Sequence, residues 1–90
     1  MTVRFRGPLA SQMTNQQYSV DVEEGSSLRT ALQTLVDRKK AVERTWKDPE
    51  TMDREALILC NEVDIGLTGG LETALKDGDK LVVLPLVHGG

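Results

Sequence analysis

The sequence predicts an α+β fold in which a mixed sheet packs on one main helix. Three observations carry that expectation. Val3 and Phe5, and later Tyr18, Val20 and Val22, alternate with polar neighbours at a period of two, the pattern of half-buried strands. Leu28, Ala31, Leu32, Leu35 and Val36 fall at i, i+3, i+4, i+7 and i+8, one face of an amphipathic helix. Ala56-Leu57-Ile58-Leu59-Cys60 and Leu81-Val82-Val83-Leu84 are apolar runs of strand length. Strands segregated from a single long helix favour a sheet covered by that helix on one face.

Taken in order, the first strand holds Val3 and Phe5 and is broken by Gly7-Pro8. Polar residues from Ser11 to Gln17 read as a loop, and the Tyr18, Val20, Val22 strand then pairs back as a hairpin. Gly25-Ser26-Ser27 supplies a break and a hydroxyl N-cap for the helix, which ends in Asp37-Arg38-Lys39-Lys40, where basic side chains suit the C-terminal end of the macrodipole. Between Ala41 and Arg54 the pattern is weak: Val42 and Trp46 could continue a helical face, and Asp48-Pro49-Glu50 reads as a turn or a new helix start with proline in first position. The run at 56–60 is expected to be a strand buried on both faces, with Asn61-Glu62 turning into a short companion strand over 63–65. Gly69-Gly70 precedes one helical turn, and Asp77-Gly78-Asp79 forms a tight turn before the last strand. Regular pairing should stop near Leu84, because Pro85 has no N–H to donate.

Ninety residues suit one domain. A chain of this size buries roughly 60 to 65% of its unfolded surface. The longest apolar run, from Leu81 to Val87, is too short to cross a bilayer, and the first residues lack the apolar stretch of a signal peptide, so a cytoplasmic monomer without membrane contact is expected. One cysteine, Cys60, and one histidine, His88, leave no intramolecular disulfide and no set of zinc ligands. A net charge of −3 with mixed signs gives no basic stripe for phosphates and argues against direct nucleic-acid binding. No bound cofactor is expected.

Catalytic groups are scarce. Cys60 lies inside an apolar run and reads as a small core residue, since nothing beside it would lower its pKa. Gly69-Gly70 lacks the lysine and spacing of a phosphate loop. The end of the chain is more informative. Two consecutive terminal glycines arise by chance in roughly one chain in two hundred. Glycine adopts backbone angles closed to other residues, so such an end can thread a narrow channel and leave its terminal carbonyl open to attack. If ordered structure stops near Leu86, four extended residues would reach roughly 13 Å from the body. A carboxylate with a reference pKa of about 3.5 is ionised and a poor electrophile at neutral pH, so it would need activation, for instance as an acyl-adenylate made by an ATP-using partner. The competing reading is an ordinary frayed end.

Leu57-Ile58-Leu59-Cys60-Asn61, Leu67-Thr68-Gly69-Gly70-Leu71, Leu75-Lys76-Asp77-Gly78-Asp79 and Val87-His88-Gly89-Gly90 follow one another in this order. In this the chain resembles the ubiquitin-related modifier family and its relatives, the archaeal small modifier proteins and the small subunit of molybdopterin synthase. The specific resemblance covers 57–90; the first two thirds match in element order alone. It implies a ubiquitin-like β-grasp domain over residues 1–86 and a flexible reactive tail over 87–90. It further implies adenylation of Gly90 by an E1-like enzyme with ATP and Mg²⁺, and conversion to a thiocarboxylate with sulfur from a donor. The sulfur would then go to a tRNA-thiolation enzyme, or the terminus would be joined to target-protein lysines. The chain would thus be a carrier and an E1 substrate rather than an enzyme. Val87, His88 and Gly89 would form the activation tail, and Leu84 with Leu86 would dock the partner. His88 resembles the modifier branch, whereas Leu84-Pro85-Leu86-Val87 is similar to the end of the molybdopterin synthase subunit. Two alternatives stand beside the carrier reading: a dedicated small subunit of molybdopterin synthase, and a noncovalent β-grasp interaction module. A chain ending at Gly90 would need no trimming.

Overall fold

The computed structural model describes residues 1–7 and 16–86. The expected loop over 11–17 lies largely outside them. Strand β1 (Thr2–Phe5) pairs antiparallel with β2 (Gln17–Ser19), placing Val3 opposite Tyr18. Val20 continues inward as expected, with its N–H donating to the Met1 carbonyl at 2.8 Å. Val22 is only partly buried, because strand pairing has already ended at Ser19.

Helix α1 (Leu28–Arg38) starts where the sequence places it: Ser27 accepts from the Thr30 N–H at 3.2 Å. All five residues of the apolar stripe are buried. The loop before the helix is stitched to a later segment, Leu28 N–H to Thr73 O and Leu75 N–H to Ser26 O. Lys39 leaves the helix in an extended conformation and sets its ammonium 5.9 Å from the Tyr18 ring centroid.

The weakly patterned segment folds as two short helices, α2 (Lys40–Thr45) and α3 (Pro49–Glu55). Asp48 caps α3, accepting from Thr51 N–H at 2.8 Å, and Pro49 occupies its first turn, so the helix-start reading of Asp48-Pro49-Glu50 holds. Trp46, between the two, is buried and stacks on Phe5 at 5.9 Å, while Phe5 meets Tyr18 edge-on at 5.8 Å. Every aromatic side chain of the protein belongs to this cluster. Arg29 of α1 forms ion pairs with Glu50 of α3 and with Glu72, tying three elements together at the surface.

Strands β3 (Ala56–Cys60), β4 (Val63–Asp64) and β5 (Lys80–Pro85) complete a five-stranded sheet ordered β2-β1-β5-β3-β4. β5 runs parallel to β1 and antiparallel to β3. Leu28, Leu32 and Leu35 share one core with Val3, Phe5, Ile58, Leu81 and Val83 on the inner face. β3 is not buried on both faces: Ala56 and Ile58 point into the core, whereas Leu57 is 36% exposed, because the helices cover one side of the sheet. Pairing also runs one residue past the expected stop, to Pro85 opposite Ala56. The Leu86 N–H donates to Glu55 O at 2.8 Å, so that pair is one in which neither residue bonds the other directly, and no donor is required of Pro85.

Candidate functional site

Period-two alternation divides β5. Leu81 and Val83 turn into the core, while Val82, Leu84 and Leu86 turn outward, half-buried for the first two and 51% exposed for Leu86. The register with β3 sets Leu57 beside Leu84 and Leu59 beside Val82 on the same outer face. An apolar strip of five side chains thus runs along the outside of the sheet to the last described residue. Leu84 and Leu86, expected to dock a partner, lie together in it, and neither is fully buried. Leu57 was missed as a member, since a continuous apolar run does not say which of its faces is covered; only pairing with β5 reveals it. Val87, His88, Gly89 and Gly90 lie outside the described residues.

The opposite end of β5 is held by a polar network. Asn61 Nδ2 donates to Asp79 Oδ1 at 2.9 Å, Lys80 N–H donates to Asn61 Oδ1 at 3.0 Å, and Lys76 N–H donates to Asp79 Oδ2 at 2.9 Å. Burial opposes ionisation of Asp79, yet these hydrogen bonds and the nearby Lys76 and N-terminal ammonium charges hold its carboxyl below the ordinary carboxylate range. Cys60 sits on the inner side opposite Leu81, partly buried against the core. Burial and the Asp79 charge push its thiol up, against a smaller pull from Lys76, so it is not set up as a nucleophile. Among the described residues no group of histidine, cysteine or carboxylate side chains could hold a metal ion. No helix among them is long and apolar enough to cross a membrane.

What this geometry offers is a strand ending in an apolar strip and leading into 87–90. The ThiS family model matches residues 3–90. The chain belongs to the ThiS family. Similarity to individual members of the ThiS family and its relatives extends over most of the chain. The sulfur carrier protein CysO of Mycobacterium tuberculosis is 32% identical over 80 residues, 86% of this chain and 85% of that protein. The ubiquitin-related modifier 1 homolog of Chlamydomonas reinhardtii is 31% identical over 94 residues, 98% of this chain and 95% of that protein. Among solved structures, a chain of the BexX/CysO complex of Amycolatopsis orientalis superposes with a TM-score of 0.74 at 26% identity, covering 99% of this chain and 98% of that one. The mixed sheet on one main helix is therefore the ubiquitin-like β-grasp of the ThiS relatives, and the resemblance to the ubiquitin-related modifiers is borne out.

Proposed function

We propose that this ThiS-family protein is a sulfur carrier and protein modifier that works through its own C-terminal carboxylate at Gly90. The observation that carries the reading is the family match, which runs through residue 90 and so includes Gly89-Gly90. A relative named as a sulfur carrier protein and another named as a ubiquitin-related modifier support the two uses. A related CysO chain solved in complex with BexX supports a protein partner.

In the proposed sequence the Gly90 carboxylate attacks the α-phosphorus of ATP on an E1-like enzyme, with Mg²⁺ on the departing pyrophosphate, giving an acyl-adenylate. Hydrosulfide from a donor, already at the sulfide level, displaces AMP and leaves a thiocarboxylate; a lysine amine in the same role gives an isopeptide bond. Val87, His88 and Gly89 carry the carbonyl into the partner's active site, and Leu84 and Leu86, with Leu57 beside them, seat the partner on the sheet. Catalytic groups come from the enzyme; this chain supplies reach, docking and the reacting carbon. The thiocarboxylate would serve tRNA thiolation, and the isopeptide would mark target proteins.

Intact-mass and C-terminal fragment spectrometry after incubation with an E1-like enzyme, ATP, Mg²⁺ and a sulfur donor tests this. Adenylate and oxygen-for-sulfur exchange are expected at Gly90, lost on deleting Gly89-Gly90 and kept in folded Cys60→Ala. Activation that survives the deletion, or fails in folded Cys60→Ala, would overturn the assignment. Retained biological function after the deletion would instead mark a noncovalent module, and a stable stoichiometric complex with a large synthase subunit would mark the molybdopterin route.

A further inference from the structure

Beside the apolar strip the outer face of the sheet is basic. The outward positions of β1 are Thr2 and Arg4, Arg6 follows in the same phase, and the outward positions of the parallel neighbour β5 are Lys80 and Val82. These side chains line an open groove of about 650 Å³. Its length is set by the pleat, with outward residues spaced roughly 7 Å apart along each strand and the strands roughly 4.8 Å apart.

Three features say that the cations are not there for the fold. β1 and β5 are interior strands, each flanked on both sides, so Arg4, Arg6 and Lys80 do not guard an exposed edge. Both ion pairs among the described residues use Arg29, and none neutralises this row. Arg4 is held in place by a neutral group, its Nη2 donating to Gln17 Oε1 at 2.8 Å, which among the described residues leaves the charge and most N–H donors unengaged. The row stands out on a chain whose net charge is −3.

We propose that this groove docks an acidic, extended segment of the activating enzyme, with carboxylates at alternate positions meeting Arg4, Lys80 and Arg6. The inference rests on the function proposed above and names the chemistry of its partner. Position supports it: Arg6 N–H donates to Val83 O at 3.0 Å, so Arg6 is level with Leu84, where the apolar strip leads toward the tail. One partner can therefore cover the strip and the groove together. Guanidinium groups favour paired carboxylate oxygens. Glu62 lines the same groove and Asp64 shares the outer face with Leu59, so an evenly charged phosphate backbone would meet these anions, whereas a segment with carboxylates spaced to the three cations can leave neutral residues beside them.

Electrostatic docking of this kind governs encounter more than turnover. The test is steady-state ATP–pyrophosphate exchange by an E1-like enzyme with the full chain, the Arg4→Glu/Arg6→Glu/Lys80→Glu variant, the milder triple glutamine variant, and Arg38→Glu as a net-charge control on α1. The charge-reversed protein should raise KM about tenfold or more with kcat within about twofold, and Arg38→Glu should change neither. Wild-type KM should rise between about 50 and 300 mM salt, while that of the glutamine variant stays nearly flat and that of the charge-reversed variant falls as its repulsion is screened. Circular dichroism checks folding, and if charge reversal prevents it the glutamine set is read in its place, with a KM increase of about threefold expected. A KM within twofold of wild type in the folded variants would overturn the proposal. Amide shifts of ¹⁵N-labelled protein titrated with acetyl-(Glu-Leu)₃ should map to Arg4, Arg6 and Lys80; shifts there with a single-stranded RNA decamer but not with the peptide would also overturn it. If the wild-type chain is not adenylated at all, the carrier reading fails, while the peptide titration still decides the groove.

Discussion

Glu62 and Asp79 sit at one end of the sheet, the first in a strained turn and the second in a hydrogen-bonded network. Asn61 and Glu62 both have positive φ, 51° and 71°, as a two-residue loop between β3 and β4 demands. Asparagine tolerates this; glutamate does not, and glycine is the residue that normally fills the second place. Glu62→Gly should therefore stabilise the protein by about 0.5–1 kcal/mol, read from guanidinium unfolding at neutral pH, and an equal loss would show the turn is not under strain. The ionised form of Asp79 is favoured by folding, since its folded pKa lies below the ordinary one. Its contribution is thus complete above the ordinary carboxylate range and disappears as pH falls through the folded pKa. Stability should decline below about pH 4. Asp79→Asn should be less stable at neutral pH and show a shallower acid decline, with Asp48, also lowered by its hydrogen bonds to Thr51, accounting for part of what remains. Unfolding midpoints measured from about pH 2 to 7 would check this, and parallel curves for the two proteins would count against it.

At the scale of elements, the start and the buried face of α1 were legible because its cap and its stripe are local signals: Ser27 lies next to the first turn, and five apolar residues repeat at helical spacing, whereas its end, at Arg38 rather than Lys40, was not marked by the run of charges. Helices α2 and α3 are too short to show a period, and what fixes them is a long-range contact, Trp46 on Phe5 of β1, with Val42 and Met52 buried on either side. Propensity yields here to tertiary packing. Trp46→Ala should cost about 3–5 kcal/mol, measured by far-ultraviolet circular dichroism because the protein has no other tryptophan to report. A loss below about 1 kcal/mol would mean that the stack is peripheral to the core. The outward side of β3 was misread for the complementary reason. Leu57 is as apolar as Ile58, and only the absence of a second covering layer over the described outer face leaves it exposed. The outward face shared by Leu84 and Leu86, the pair proposed to dock a partner, was readable from alternation in β5, whereas the basic groove needs the register of Arg4 against Val82, which no local pattern reports.

Over the whole molecule, the sheet was foreseeable as a set of strands, but its order depends on pairing between the two ends of the chain: Thr2 is in register with Lys80, and Phe5 with Val83. That pairing carries a consequence in time. A nascent chain emerges N-terminus first at roughly 5–20 residues per second, so β1 is made long before the strand that completes it. Until β5 arrives, β1 lacks one neighbour, β3 lacks its longest partner, and the inner face lacks Leu81 and Val83. Contacts between such distant segments carry the largest loop-closure entropy and close late. Whatever follows Leu86 therefore hangs from the strand whose insertion finishes the sheet, and a partner that grips both β1 and β5 engages only molecules in which that sheet has already closed.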